Sequence, residues 1–163
     1  MTKGIVRSLY LTRTPSGSVS ITSLTPLVHY TGVYPTTVLT DATAGPFLVE
    51  VKALVRNPNP STLTDVQLLA TWAFGTNTSS IVTLPPGESI VTAFLFVPVG
   101  TVSLWWTADV KKGPQSLYNV TASISIGGKQ TTAEDSRQIG FKVFTIVTDD
   151  DTEPSRLSGI DGR

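Results

Sequence analysis

The single histidine is the residue around which a catalytic site would have to be built. His29 is the sole histidine of the chain, so it cannot form a metal cluster by itself. It lies in an extended run, and we expect an ordinary strand residue there and not a general base. Serines are plentiful, but no Gly-x-Ser-x-Gly elbow occurs and a triad is hard to assemble around one histidine. Serine hydrolase chemistry is therefore excluded.

Paired carboxylates would indicate glycoside hydrolysis, which uses two of them roughly 5–10 Å apart across a sugar. Glu134 and Asp135 are adjacent in the sequence, so on a strand their side chains point to opposite faces. Glu50 and Glu88 flank separate strands, and nothing in the sequence places them in a shared cleft. We expect solvated strand and turn residues and predict no catalytic residue in the chain.

Two further segments superficially resemble ligand-binding loops. The acidic run at residues 149–153 lacks the spaced oxygen ligands and the glycine of a calcium loop. Gly127-Gly128-Lys129 is not followed by a helix that would help to bind a phosphate, and a hairpin turn accounts for it. The chain is thus predicted to hold no metal ion and no cofactor.

Trp105 and Trp106 are the candidate binding residues. Consecutive residues of an extended chain face opposite sides, so one ring is expected to enter the core while the other faces outward. The outward ring would be a domain-interface anchor or, alternatively, a platform on which a sugar ring stacks. The interface role is favoured because aromatic residues are enriched at buried interfaces.

Composition excludes several classes of partner. Charged residues make up 15% of the chain, and twelve Lys and Arg balance twelve Asp and Glu, which argues against binding to nucleic acid or to an anionic membrane. No apolar run reaches the ~20 residues of a membrane helix. The absence of cysteine removes disulfides and thiolate zinc sites and leaves the compartment open. Two N-glycosylation tripeptides hint at a secretory route and no more: Asn77-Thr78-Ser79 and Asn119-Val120-Thr121.

Period-two alternation of apolar and polar residues predicts an all-β fold, an immunoglobulin-like antiparallel β-sandwich of about seven strands over residues 18–148. Strand 89–97 is apolar on both faces, which predicts a central strand covered twice. Residues 75–77 are expected to form a loop. Residues 1–17 are interpreted as the end of a preceding domain with a linker, and residues 149–163 as a disordered linker. The expected strands lie near residues 18–29, 47–56, 64–74, 79–83, 89–97, 117–126 and 134–147.

Several motifs resemble the closing strands of the immunoglobulin-like domain in family 2 glycoside hydrolases. Those motifs are Leu104-Trp105-Trp106, Leu117-Tyr118 and Arg137-Gln138-Ile139-Gly140-Phe141-Lys142. Residues 4–11, 29–36 and 39–42 are in turn similar to segments of β-mannosidases. Lys142 stands where the family usually has arginine, Val6 replaces the usual tryptophan, and no proline follows Trp106.

The resemblance implies a domain without chemistry of its own. It would pack between a sugar-binding domain and a catalytic barrel, with Arg137, Gly140, Phe141 and Tyr118 in structural roles. The parent would release terminal non-reducing β-D-mannose by a retaining mechanism, with both catalytic glutamates on the barrel, and would be lysosomal or secreted. Exposed apolar patches are expected where the neighbouring domains dock. Alternatively, two copies of the chain would form a homodimer through these patches. The rival interpretations are a free-standing carbohydrate-binding or adhesion module and a structural extracellular sandwich without a sugar connection.

Overall fold

The computed structural model describes residues 15–33, 35, 39–106 and 115–144. In these ranges the chain forms eight strands and no helix, so the predicted all-β antiparallel sandwich is confirmed. The expected linkers at residues 1–17 and 149–163 lie outside the described residues, apart from residues 15–17. The strands are β1 Ser20–Tyr30, β2 Phe47–Asn57, β3 Leu63–Trp72, β4 Gly75–Thr78, β5 Val82–Leu84, β6 Gly87–Val97, β7 Tyr118–Ile126 and β8 Lys129–Ile139.

Two antiparallel sheets make up the sandwich. Sheet A has the order β1-β2-β6, and sheet B has the order β4-β3-β7-β8 with β5 paired to β3. The alternating residues of β2 and β7 explain why these strands sit in the middle of their sheets, since one side chain in two is apolar and faces the opposite sheet. The fully buried residues of these two strands are Phe47, Val49, Val51, Ala53, Val55, Val120, Ala122 and Ile124.

The hairpin between β7 and β8 forms where the sequence predicts it. Gly127 and Gly128 are its two central residues, with φ angles of 56° and 76°. A two-residue turn with both φ angles positive matches the right-handed twist of the flanking strands, and glycine adopts it without steric cost. This turn fixes the register in which Ile126 pairs with Lys129.

Three sequence-based expectations about strands were wrong in detail. Residues 75–77 belong to β4, which pairs with β3, and do not form a loop. The last strand begins at Lys129 and ends at Ile139, whereas 134–147 was expected. β6 is an edge strand of sheet A, not a central one. Its second apolar face therefore remains exposed in this chain.

The open edges of the two sheets are protected in different ways. Asn77 of β4 donates from Nδ2 to the carbonyl oxygen of Phe94 at 2.6 Å, which ties the edge of sheet B to the edge strand β6. On the opposite side, edge strand β1 contains Pro26, which has no N–H to donate. The facing edge strand β8 carries an Asp135–Arg137 ion pair of 2.8 Å at positions that otherwise face the core. Charges and proline on edge strands disfavour pairing with a second chain.

A buried asparagine ends β2. Asn57 is only 1% exposed, and its Nδ2 donates to the carbonyl oxygens of Ser61 at 3.0 Å and Leu84 at 3.1 Å. Its Oδ1 accepts from the backbone N–H of Asn59 at 3.0 Å. The side chain thus satisfies the backbone of the Asn57-Pro58-Asn59-Pro60 turn that the sequence predicts as the end of this strand.

Candidate functional site

The one histidine lies in a small charged cluster on the outer face of sheet A. His29 Nε2 is 3.3 Å from Glu50 Oε2, and Lys52 Nζ is 3.0 Å from Glu50 Oε1. The hydrogen bond from Lys52 lowers the pKa of the Glu50 carboxyl, and the contact with His29 adds to this effect. A carboxylate held in its charged form by a lysine suits an ion pair better than proton transfer.

The remaining acids do not converge on this cluster. Glu88 lies opposite Arg56 in the pairing of β2 with β6. Asp135 is engaged by Arg137, and Glu134 faces the other side of β8. Among the residues that the structure describes, no group of three His, Cys, Asp or Glu side chains is placed to hold a metal ion. The same part of the chain contains no helix long and apolar enough to cross a membrane.

Six aromatic rings form a continuous cluster at one end of the sandwich. Phe141 is fully buried at its centre, with its ring centroid 5.1 Å from Phe47, 5.5 Å from Tyr118 and 5.9 Å from Trp72. Phe74 continues the cluster outward at 5.0 Å from Trp72. The tilted and edge-to-face arrangements are those in which aromatic pairs attract. Tyr30, which contacts Phe47 at 5.5 Å, completes the set.

Three separate parts of the chain hold the segment that carries the two tryptophans. Asp41 accepts from the backbone N–H of Leu104 at 2.8 Å. The hydroxyl of Tyr118 accepts from the N–H of Ser103 at 2.8 Å. The carbonyl of Phe141 accepts from the N–H of Trp105 at 2.7 Å. The described motifs around Asp41, Leu104, Tyr118 and Phe141 therefore meet in space, although Asp41 and Phe141 are 100 positions apart in the sequence. Residues 4–11, which also carry the resemblance, lie outside the described residues.

The two tryptophans have different surroundings. Trp106 is half-buried and packs against the hydrophobic core. Trp105 is half-buried beside Gly140, where a Cβ on the glycine would come within 3.1 Å of the tryptophan side chain. Lys142 Nζ lies 5.4 Å from the centroid of the Trp105 ring, within cation–π range. Of the other predicted structural residues, Tyr118 and Phe141 belong to the aromatic cluster, whereas Arg137 is exposed and paired with Asp135.

Beside the charged cluster, the outer face of sheet A carries several large apolar side chains. On sheet A, Ile90, Phe94 and Phe96 of β6 are 67%, 46% and 62% exposed. Leu27 of β1 and Leu48 of β2 lie on the same face, since Leu48 pairs with Phe96 and Leu27 with Glu50. We call these five residues the apolar face. Glu50 lies between Leu27 and Phe94 in the strand pairing, so these apolar residues surround the charged cluster of His29, Glu50 and Lys52. Large apolar side chains that are exposed together along one edge strand are typical of an interaction site.

The outer face of sheet B is polar by comparison. Apart from Leu69, the outward positions of β3, β7 and β8 carry hydroxyl, amide or carboxylate groups. These polar residues are Gln67, Thr71, Asn119, Thr121, Ser123, Ser125, Glu134, Ser136 and Gln138. Sequence reasoning did not identify the apolar face as a site. The sequence feature that indicates it is that residues 89–97 are apolar on both faces of the strand, from which we predict a central strand.

Comparisons with known proteins confirm the resemblance to family 2 glycoside hydrolases. No protein-family profile matches the chain. Over 57 residues it is 37% identical to β-mannosidase A of Aspergillus aculeatus, a stretch that covers 35% of this chain and 6% of the relative. The sandwich superposes on an exo-chitosanase of Amycolatopsis orientalis with a TM-score of 0.59 at 20% identity, covering 80% of this chain and 14% of the other. A β-glucuronidase from glycoside hydrolase family 2 gives a TM-score of 0.56 at 14% identity, covering 78% and 13%.

The matches share one property, which is that the chain spans only a small part of each relative. The chain is thus similar to one domain-sized part of much longer glycoside hydrolases, as the sequence motifs indicate. The alternative of a homodimer finds no support in these comparisons or in the described structure.

Proposed function

We propose that this sandwich, of the type found in family 2 glycoside hydrolases, is a non-catalytic spacer domain of a β-mannosidase-like enzyme. The full-length protein would hydrolyse terminal non-reducing β-D-mannose residues, with its catalytic groups on another domain. The single observation that carries the proposal is the row of exposed apolar side chains on β6, Ile90, Phe94 and Phe96, which has no counterpart among the described residues on the outer face of sheet B.

Covering the apolar face would stabilise an assembly of domains. Full burial of a large apolar side chain contributes roughly 1.5–3 kcal/mol. Ile90, Phe94 and Phe96 are each about half exposed, so covering them would contribute on the order of 1 kcal/mol apiece. The polar face of sheet B offers no comparable gain. A neighbour is therefore expected on sheet A.

The proposed neighbour is another domain of the same polypeptide. Support comes from the matches, in which the matched parts of this chain cover 6% of β-mannosidase A and 14% of the exo-chitosanase. A rigid sandwich that contacts its neighbours would hold their relative orientation, and glycoside hydrolysis needs its groups placed within fractions of an ångström. The mannose assignment is supported by the 37% identity to β-mannosidase A over 57 residues.

The aromatic end of the sandwich is the second proposed contact surface. Trp105 would act there as an interface anchor, with Phe74 and Leu117 exposed at the same end. Phe144, the last described residue, is 81% exposed. In the proposed parent enzyme, a following domain would lie against this end.

The test begins with the isolated chain. A dye that binds exposed apolar surface should fluoresce with it, and Phe94→Ser with Phe96→Ser should remove most of that signal. The matched control is Thr71→Ala with Thr121→Ala on the outer face of sheet B, which should leave the signal unchanged. In the full-length protein the phenylalanine variant should lower the thermal midpoint while the threonine variant does not. Equal effects of the two variants, or turnover of an aryl β-mannoside by the isolated chain, would contradict the spacer role.

A free-standing carbohydrate-binding module is the alternative, because the Trp105 ring is only half-buried. Against it stands Lys142, whose ammonium group lies over that ring where a sugar would stack. Titration with mannose and mannan, followed by tryptophan fluorescence, separates the two functions. Saturable binding that Trp105→Ala abolishes and Phe144→Ala preserves would establish the module and overturn the spacer.

A further inference from the structure

The two N-glycosylation tripeptides occupy contrasting positions in the fold. Asn77-Thr78-Ser79 begins on the edge strand β4, and Asn119-Val120-Thr121 lies near the start of the central strand β7. We propose that Asn119 is the N-glycan acceptor when the chain passes through a glycosylating secretory pathway, and that Asn77 stays unmodified in the folded product. This modification site does not depend on the spacer role.

The side chain of Asn77 forms a hydrogen bond between the two sheets. It pairs with Ala70, a buried core-facing residue, so its side chain lies on the side of sheet B that faces sheet A. Its Nδ2 donates to the carbonyl oxygen of Phe94 at 2.6 Å, and its Oδ1 accepts from the N–H of Thr78 at 2.9 Å. A glycan on this nitrogen would have to fit between the sheet edges, beside the apolar face.

The hydroxyl of the same tripeptide is also used by the fold. Ser79 is buried, and its Oγ accepts from the N–H of Leu68 at 2.9 Å and donates to the carbonyl of Ser80 at 2.8 Å. Glycosylation requires this hydroxyl to be accessible together with the asparagine.

Asn119 is exposed like Asn77, but no hydrogen bond across the two sheets engages its side chain in the part of the chain that the structure describes. Asn119 pairs with Gln138 across the outer face of sheet B, while Thr121 pairs with Thr71 and Ser136 on that face. These neighbours are polar, and three of them are small. A hydrated glycan can lie over them without covering apolar surface. It would project from the side of the sandwich opposite the apolar face and leave that face free.

The modification itself is a group transfer from a lipid-linked oligosaccharide. The Asn119 Nδ2 forms a bond to the anomeric carbon of the sugar and loses one of its two protons. The bond from that carbon to the pyrophosphate oxygen breaks, and the lipid pyrophosphate departs with the electron pair. The product is an N-linked glycan on an uncharged amide, so the net charge of the chain does not change.

The experiment uses the whole chain, secreted from a eukaryotic host behind a cleavable signal. Intact mass before and after enzymatic removal of N-glycans should show one occupied site in the wild type, and peptide mapping should assign it to Asn119. Asn119→Gln and Thr121→Ala should be secreted without a glycan. Thr121→Ser retains a hydroxyl and should remain modified, and Asn77→Gln should leave occupancy unchanged.

Peptide mapping of the glycan on the wild-type chain still tests the proposal if a variant is not secreted. A glycan found on the peptide that contains Asn77, or retained after Asn119→Gln, would overturn the proposal. A folded wild-type product with no glycan at all would also overturn it. The unfolding midpoint of Asn119→Gln should equal that of the enzymatically deglycosylated wild type, because Asn119 lies on the surface.

Discussion

Replacement of Phe141 by alanine is the perturbation that most directly tests how the motifs of this fold work. Phe141 is fully buried, and its ring contacts Phe47, Tyr118 and Trp72 at centroid distances between 5.1 and 5.9 Å. The carbonyl oxygen of Phe141 also accepts a hydrogen bond from the backbone N–H of Trp105. The residue thus links the core to the segment that carries the two tryptophans.

The expected decrease in the free energy of unfolding can be worked out from these contacts. Phe→Ala in a core costs about 3–5 kcal/mol through lost burial and the cavity left behind. Each aromatic pair contributes about 0.5–1.5 kcal/mol beyond burial, and three pairs are lost here. The loss for Phe141→Ala should therefore lie near the upper end, at about 4–5 kcal/mol.

Urea unfolding followed by tryptophan fluorescence measures this loss. With an m-value of about 2 kcal/mol/M, the midpoint should fall by about 2 M. Phe144→Ala is the matched control, since that ring is 81% exposed, and should change stability by less than about 0.5 kcal/mol. Phe141→Leu keeps most of the volume and should cost about 1–2 kcal/mol, so it remains measurable if the alanine variant does not fold. Equal losses at the two phenylalanines would refute the reasoning.

Three further predictions concern the buried Asn57, the ion pair of Glu50 with Lys52, and the close contact of Gly140 with Trp105. Asn57→Leu should lower the free energy of unfolding in urea by about 2–4 kcal/mol, because it leaves backbone groups of the following turn without partners. A decrease below about 0.5 kcal/mol would contradict this role. The Glu50 carboxyl has a lowered pKa because of Lys52, so its stabilising contribution is present above the ordinary pKa of about 4.5 and is lost as pH falls through the lowered value. A carboxyl titration by NMR should show this pKa rising in Lys52→Met, and no change would count against the ion pair. Gly140→Ala should destabilise the fold by about 1–3 kcal/mol and alter tryptophan emission, because the added Cβ meets Trp105 at 3.1 Å; unchanged emission would argue against this contact.

The parts of the fold that the sequence predicts are those set by local alternation. β2 and β7 were predicted almost to their ends, because one side chain in two must be apolar when a strand has one core-facing side. The Gly127-Gly128 turn was predicted for a comparable local reason, since its positive φ angles suit glycine.

The parts that were missed depend on contacts distant in sequence. β4 contains Gly-Thr-Asn-Thr, which has no apolar alternation, and pairing with β3 together with the bond from Asn77 to Phe94 holds it in place. β6 was expected at the centre of a sheet because it is apolar on both faces. The alternation shows that both faces of this strand are apolar, but it does not determine whether a part of this chain covers the second face.

The meeting of the motifs at the aromatic end was likewise beyond local reasoning. Asp41 reaches Leu104 across 63 positions, and no periodicity predicts such a bond. Only the resemblance to a known family indicated that these segments belong together. The roles proposed for Trp105 and Trp106 remain predictions.

Pro26 has a consequence for how such a chain is synthesised. In a newly made chain, strand β1 is an open edge of sheet A. Newly made copies of the same sequence are close together on a polysome, where the open edge strand of one copy can pair with that of another. Pro26 removes one N–H donor from the middle of this edge, so pairing between nascent copies is disfavoured.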